Sequence, residues 1–192
     1  MKCTTITRAL LLTLCLATGA LQAAEVAGVK IDDTVKVGGS DLVLNGAGLR
    51  SKLFIKVYVG ALYVGQKANT PAAIYASPAP RRMVMRMLRD MDAETLYGAL
   101  DDGLRNNLTP AELAAMQGQA EQLGALMKGI GKVREGDAVA IDFTAEGLAV
   151  ILNNQNRGTV AGAEFARALL RVWLGDKPAD ASLKKTLLGN RD

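Results

Sequence analysis

The chain has 192 residues, of which 49% are hydrophobic and 22% charged, and it contains two Cys and no His. This length and composition predict one globular domain with a substantial core. Without His, neither a Ser-His-Asp nor a Cys-His nucleophile system can form, and the usual His-containing zinc sites and His-ligated haem are excluded. Acid–base chemistry near neutral pH would therefore fall to Asp, Glu, Lys, Tyr or Arg.

The first 24 residues have the pattern of a secretory signal peptide. Lys2 and Arg8 form a positive start, Ala9 to Ala17 is apolar, and small residues precede the end of the segment. The apolar run is shorter than the roughly 20 residues that a membrane-spanning helix needs. We therefore expect residues 25–192 to form the mature domain, to be periplasmic or secreted, and to retain no membrane span.

Removal of this segment also changes the inventory of reactive groups. Both cysteines, Cys3 and Cys15, lie within it, so the mature domain has neither a thiol nor a disulfide. The net charge of +4 falls by two, and no basic block interleaved with aromatic residues is present. We therefore expect no nucleic-acid partner. The polar stretch from Asn153 to Asn156 has too few carboxylates for Ca²⁺, and we predict no metal site and no cofactor.

The first third of the mature chain is typical of antiparallel strands. Strands are predicted over residues 25–37, 41–45 and 53–64. Gly46 to Gly48 is expected to form a tight connection between the second and third of these. The last strand is rich in Val, Ile, Tyr and Phe, and strict alternation would place Lys56 and Tyr58 on the same face.

The remainder combines helices with further strands. Helices are predicted over residues 71–76, 92–107, 110–130, 161–174 and 180–189, and strands over 80–90, 137–144 and 148–153. Thr109 and Glu112 form a capping box around Pro110, which marks a helix start. Met83, Met85 and Met87 share one strand face and are expected in the core. Because the helices are grouped and the strands are neighbours along the chain, we predict an α+β fold with an antiparallel sheet.

Three stretches, in order, resemble members of the chalcone isomerase-like superfamily, and above all its exported bacterial members. They are the Gly-rich segment that ends at Arg50, the aromatic strand from Leu53 to Val64, and the segment from Val172 to Pro178. The resemblance covers nearly all of the mature chain. It implies an open-faced β-sandwich, in which a helical layer covers one face of a large antiparallel sheet and a ligand cleft lies between them.

The resemblance also implies a site. Plant enzymes of this superfamily add a phenolate to an enone within one molecule, plastid relatives bind fatty acids, and both use an arginine that Arg50 matches. Tyr97 matches a helical tyrosine of the enzymes, although its place on an amphipathic helix also fits a packing residue. Tyr58 and Val172 stand where the enzymes have Thr and a Ser or Thr. Lys56 would supply a second cation if its strand face lined the cleft. The candidate catalytic residues are thus Arg50, Tyr58 and Tyr97, and the candidate ligand-binding residues are Arg50, Lys56, Tyr58 and Val172.

Three functions are compatible with these residues. The first is a binding protein, whose apolar cleft holds a small amphipathic, fatty acid-like molecule while Arg50 pairs with its anionic head. The second is an intramolecular lyase or isomerase acting on a phenolic enone, with a tyrosine as donor to the carbonyl oxygen. The third is a structural or partner-binding protein whose cleft is filled by side chains. An open cavity that reaches Arg50 would favour the first two functions.

Overall fold

The structure is a computed structural model, and it describes residues 24–190. Its strands are β1 (Ala24–Val26), β2 (Val29–Ile31), β3 (Thr34–Val37), β4 (Ser40–Lys52), β5 (Ile55–Val64), β6 (Arg81–Met87), β7 (Met91–Asp92), β8 (Lys132–Val133), β9 (Ala138–Phe143), β10 (Gly147–Leu152) and β11 (Gln155–Ala161). Its helices are α1 (Pro71–Ala76), α2 (Ala93–Asn107), α3 (Pro110–Ala115), α4 (Gln117–Ile130), α5 (Ala163–Leu174) and α6 (Ala181–Leu187). The predicted signal peptide lies outside the described residues, apart from Ala24.

A seven-stranded sheet forms the centre of the fold. Its strand order is β11-β10-β9-β6-β5-β4-β3, and every neighbouring pair is antiparallel. The pairs β1-β2 and β7-β8 form two small antiparallel sheets of their own. Neighbours along the chain are mostly neighbours in the sheet, as the short connections between strands predict. The expected α+β class with an antiparallel sheet is confirmed.

The two faces of the sheet bury unequal cores. Helices α2 and α5 cover the larger one, which includes Tyr58, the three methionines of β6 and most buried side chains of α5. The opposite face carries a smaller core that includes Val59, Ala61 and Tyr63, with Ile31 packed on it. The Tyr63 hydroxyl donates a hydrogen bond of 2.9 Å to the backbone oxygen of Asp32, which ties this face to the β2–β3 connection.

The Gly46 to Gly48 segment is not the tight connection that the sequence predicts, because it lies in the middle of β4. The two glycines, Gly46 and Gly48, allow α6 to pack close to the sheet. A Cβ atom at Gly46 would lie 2.0 Å from the backbone oxygen of Thr186, and one at Gly48 would lie 2.0 Å from the Thr186 hydroxyl oxygen. Any larger residue at these two positions would therefore push α6 away from β4.

Three other predicted boundaries differ from the structure. The helix expected over residues 110–130 is interrupted at Met116, where the backbone φ is −112° and ψ 10°, shortly before Gly118. No strand is predicted between residue 153 and the helix expected from residue 161, but β11 follows directly after the turn residues Asn153 and Asn154. This edge strand was missed because it is polar and mostly exposed, without apolar alternation.

The third difference concerns the start of β5. The predicted strand begins at Leu53, but Leu53 and Phe54 form the two-residue turn of the β4–β5 hairpin, with φ values of 49° and 66°. Positive φ at both residues is typical of a type I′ turn, for which Asn-Gly is the usual sequence. Among residues 24–190, no helix is both long and apolar enough to cross a lipid bilayer.

Candidate ligand-binding site

A cavity of about 490 Å³ opens between one end of the sheet and the helices that cover it. The β4–β5 hairpin supplies one wall, including Arg50, Val57 and Tyr58, and α2 supplies the opposite wall. Val172 of α5 lies on the wall as well. The volume lies within the range of roughly 300–1,000 Å³ that is usual for small-molecule sites. The cavity is open rather than filled by side chains, which favours the two ligand-dependent functions over the structural one.

Small residues on one face of α2 make room for this cavity. Thr95, Gly98, Ala99 and Asp102 follow one another at helical spacing and all line it. The larger Leu96 lines the cavity and is itself buried in the core. This face of small side chains was not predicted from the sequence. Its i, i+3, i+4, i+7 spacing is the signal that could have found it.

Arg50 and Tyr58 are held side by side by strand pairing. They are directly opposite in the β4–β5 register, and the Arg50 guanidinium carbon lies 5.7 Å from the centre of the Tyr58 ring. This is a cation–π arrangement, and the aromatic face limits where the arginine side chain can go. Within residues 24–190, no carboxylate oxygen lies within 4.0 Å of the Arg50 guanidinium. The guanidinium can therefore pair with an anion in the cavity.

Asp180, an acidic residue close to the Arg50 strand, already accepts hydrogen bonds from backbone N–H groups. Asp180 accepts a hydrogen bond of 2.9 Å from the Leu183 N–H at the start of α6. Its other carboxylate oxygen accepts a bond of 3.3 Å from the N–H of Ser51, the residue after Arg50. Asp180 thus fixes α6 to β4 as an N-cap and does not form an ion pair with Arg50.

Tyr58 is buried, with 3% of its surface exposed. Its hydroxyl oxygen accepts a hydrogen bond of 2.9 Å from the indole N–H of Trp173, which is also buried. Burial raises the pKa of Tyr58 to about 12, although the nearby Arg50 charge and the bond from Trp173 each lower it. Tyr58 is therefore neutral at physiological pH. In the hydrogen bonds that the described residues form, its hydroxyl acts as acceptor, which leaves its proton for a ligand.

The charged side chains at the cavity are mostly cationic. Lys52 and Arg89 line it together with Arg50, and Asp102 is the acid of the lining. Most other lining residues are apolar. A mainly apolar lining that also carries three cations matches the chemistry of an amphipathic anion.

A second depression, of about 790 Å³, is a weaker candidate. It lies between β1, β4 and α6 and is lined by Asn45, Lys67 and other polar residues. The Asn45 amide already bonds to the backbone N–H and oxygen of Ala68 and to the backbone oxygen of Leu187. Its buried polar group is therefore occupied in holding the loop after β5 and the end of α6.

The family follows from the sequence match. A family model described as chalcone isomerase-like matches residues 23–189. The chain belongs to the chalcone isomerase-like family. A search of curated protein sequences finds no match.

A solved structure of the same fold is similar to this chain. The crystal structure of a fatty-acid binding protein from Arabidopsis thaliana superposes with a TM-score of 0.64 at 16% sequence identity. The match covers 85% of this chain and 93% of that one. The expected chalcone isomerase-like architecture, a large antiparallel sheet with helices, is confirmed.

Two of the candidate site residues, Tyr97 and Lys56, lie away from the cavity. Tyr97 is on another face of α2, where its hydroxyl donates a hydrogen bond of 2.8 Å to the backbone oxygen of Ala120 in α4. Its ring packs against Gly124, where a Cβ atom would approach within 2.9 Å. Tyr97 thus joins α2 to α4, and the structure does not bring it together with Arg50 and Tyr58.

Lys56 also lies outside the cavity lining. Strict alternation would place it on the face of Tyr58, but the β4–β5 register shifts between Arg50 and Ser51. Tyr58 pairs with Arg50 and Lys56 pairs with Ser51, so Val57 is the extra residue of a β-bulge. The bulge breaks the alternation, and Ile55 and Val57 line the cavity while Lys56 is exposed. Val172 does lie on the wall, packed against Gly103 of α2.

Proposed function

We propose that this chalcone isomerase-like protein binds a small amphipathic acid, such as a fatty acid, in the cavity beside Arg50. The observation that carries the proposal is a guanidinium that lines a mainly apolar cavity and has no carboxylate partner among the described residues. An arginine is suited to this role because its planar group can donate two parallel hydrogen bonds to a carboxylate. Neutral Tyr58 would donate a further bond to the same head group.

The apolar remainder of the ligand would lie between the hairpin and α2. Ile55 and Val57 on one side and Leu96 and Val172 on the other offer it hydrocarbon contact. The similar Arabidopsis structure is that of a fatty-acid binding protein, which supports this ligand class.

A cavity-filling variant tests the proposal without altering the charged groups. Ala99→Phe would place a ring in the cavity from the wall opposite the hairpin, whereas Ala125→Phe would place the same ring on the exposed surface of α4. We expect dodecanoate binding, measured by calorimetry, to be lost in Ala99→Phe and retained in Ala125→Phe. Equal binding by the two variants would reject the cavity as the ligand site.

An intramolecular lyase is the second candidate function, favoured by the position of the Arg50 guanidinium beside the ring of Tyr58, whose hydroxyl is neutral. Addition of a substrate phenolate to its own enone needs a cation near the phenolate and a hydrogen-bond donor near the carbonyl oxygen. A spectrophotometric assay with a chalcone substrate tests it. A ring-closure rate no higher than in buffer, across the pH range, would reject it.

We also propose that the protein is exported. The basic start and apolar run within residues 1–24 carry this proposal, and the family match begins at residue 23, where the predicted signal ends. The intact mass of the protein recovered from a periplasmic or culture-medium fraction tests it. A mass that still includes residues 1–24, recovered with the cytoplasm, would contradict export.

A further inference from the structure

The most exposed apolar side chains of the described region are gathered at one point. Leu53 is 82% exposed, Phe54 is fully exposed and Ile55 is 50% exposed, and within residues 24–190 these are the exposed large hydrophobic side chains. Together they form the tip of the β4–β5 hairpin, here called the hairpin tip. Single apolar residues are common on protein surfaces, but three consecutive bulky ones at a hairpin turn call for a binding partner.

Folding does not explain these residues. Leu53 and Phe54 occupy the two left-handed positions of the turn, where Asn and Gly are favoured because a bulky side chain clashes with the backbone. Neither side chain is buried in the core. The tip therefore carries apolar groups that weaken the turn, and this points to selection for a contact outside the chain.

Basic residues surround the hairpin tip. Lys52 and Lys56 flank it directly, and Arg50 and Arg89 lie at the adjoining cavity. Among residues 24–190, no carboxylate lies within 4.0 Å of any of these four cations. An apolar tip with basic residues beside it is complementary to an anionic lipid surface, where apolar groups enter the hydrocarbon boundary and cations meet the head groups.

We propose that the hairpin tip inserts into the interface of an anionic lipid membrane. The patch is much smaller than a stable protein–protein interface, which buries more than about 1,000 Å², but it suffices for reversible membrane contact. Leu53 and Ile55 also line the cavity, so insertion would bring its mouth to the lipid surface. Membrane docking does not depend on the ligand proposed above, although it would give an amphipathic acid a direct route between bilayer and cavity.

Phe54→Gly separates docking from folding. Glycine is favoured at the second turn position, so we expect the unfolding midpoint to stay the same or rise. Phe54 does not line the cavity, so dodecanoate binding should be unchanged. Binding to vesicles of phosphatidylcholine and phosphatidylglycerol, measured by co-sedimentation, should weaken about tenfold or more, because the variant lacks the phenyl ring that would be buried in the lipid. If the wild-type protein binds dodecanoate but not these vesicles, or if Phe54→Gly binds the vesicles as tightly as the wild type, the docking proposal alone is overturned.

Charge reversals test the lysines that flank the hairpin tip. Lys52→Glu with Lys56→Glu should weaken binding to phosphatidylglycerol vesicles by about tenfold or more, since each basic residue near an anionic surface favours binding. Lys30→Glu with Arg157→Glu is the matched control, because it changes the net charge equally at exposed sites on other strands. Equal weakening by both pairs would overturn the proposal.

An indole at the tip reports its position directly. The described chain has one Trp, the buried Trp173, so Phe54→Trp adds an exposed fluorophore to a constant background. We expect its emission to shift to the blue with phosphatidylglycerol vesicles and to be quenched by lipids labelled in their acyl chains, whereas Ala125→Trp should not respond. An unshifted emission, or a tip-dependent dimer in sedimentation velocity, would overturn membrane docking.

Discussion

Arg50 should determine whether the protein distinguishes a carboxylate from a neutral head group. In the proposed complex its guanidinium donates charge-assisted hydrogen bonds to the ligand, and such bonds contribute about 1.5–3 kcal/mol each. Arg50 is partly exposed, so solvent screening favours the lower end of this range. One such bond at about 1.5 kcal/mol corresponds to about tenfold in affinity and two bonds to about a hundredfold, so Arg50→Ala should weaken dodecanoate binding by about tenfold to a hundredfold.

The assay compares two ligands of equal chain length. Calorimetric titration with dodecanoate and with dodecanol measures the preference for the acid as the ratio of the two dissociation constants. Wild type should prefer dodecanoate, and Arg50→Ala should lose that preference while binding dodecanol as before, because the apolar wall is unchanged. Arg50→Lys should fall between them, since an ammonium keeps the charge without the planar donor pair.

Arg89→Ala is the matched control. Arg89 is another arginine that lines the cavity, but it is exposed and does not pack on the Tyr58 ring. Its removal should change dodecanoate affinity by less than about threefold, as expected for an exposed charge pair. If Arg89→Ala and Arg50→Ala weaken dodecanoate binding equally, the cations attract the ligand only through their positive charge, and Arg50 has no specific role. If Arg50→Ala keeps full preference for the acid, the proposed role of Arg50 is refuted.

Three further predictions concern stability. The pKa of Tyr58 is raised in the folded state above its unfolded value of 10, so the free energy of unfolding should be constant below pH 10 and fall between pH 10 and pH 12, by up to about 1.4 kcal/mol per pH unit. Urea unfolding midpoints measured at each pH should fall less steeply in Tyr58→Phe than in the wild type. Gly46→Ala should lower the free energy of unfolding by about 1–3 kcal/mol through its clash with α6, whereas Gly118→Ala, with open space around it, should not lower it. Tyr97→Phe should cost about 0.5–1.5 kcal/mol by removing the bond to Ala120, and a loss of dodecanoate binding instead would contradict its structural role.

The sequence predicts the architecture well because most of its signals are local. The capping box at Thr109, the methionine alternation of β6 and the cap at Asp180 each depend on residues a few positions apart, and the structure contains all three. The proximity of Arg50 and Tyr58, in contrast, depends on the pairing of β4 with β5. The resemblance to the family identified Arg50 as a candidate site residue, and the aromatic strand drew attention to Tyr58.

Local structure that depends on distant contacts could not be predicted from the sequence. Gly46 to Gly48 reads as a turn from composition alone, but its function depends on α6, about 140 residues later in the chain. The face of Lys56 depends on a β-bulge, which changes the alternation by one residue without a marker in the sequence. Tyr97 fits the family spacing, but the packing of α4 against α2 gives its hydroxyl a structural acceptor.

The site also explains how a domain without His or Cys can recognise an anion across a wide pH range. Arginine keeps its charge throughout the physiological range, and burial keeps Tyr58 neutral, with a pKa of about 12. Trp173 occupies the acceptor side of the Tyr58 hydroxyl, so what the hydroxyl can still offer is its proton. A fixed cation beside a fixed neutral donor is complementary to an oxyanion and leaves the protein without a titrating group of its own near pH 7 at that head-group position. Any pH dependence of binding near neutrality should therefore come from the ligand.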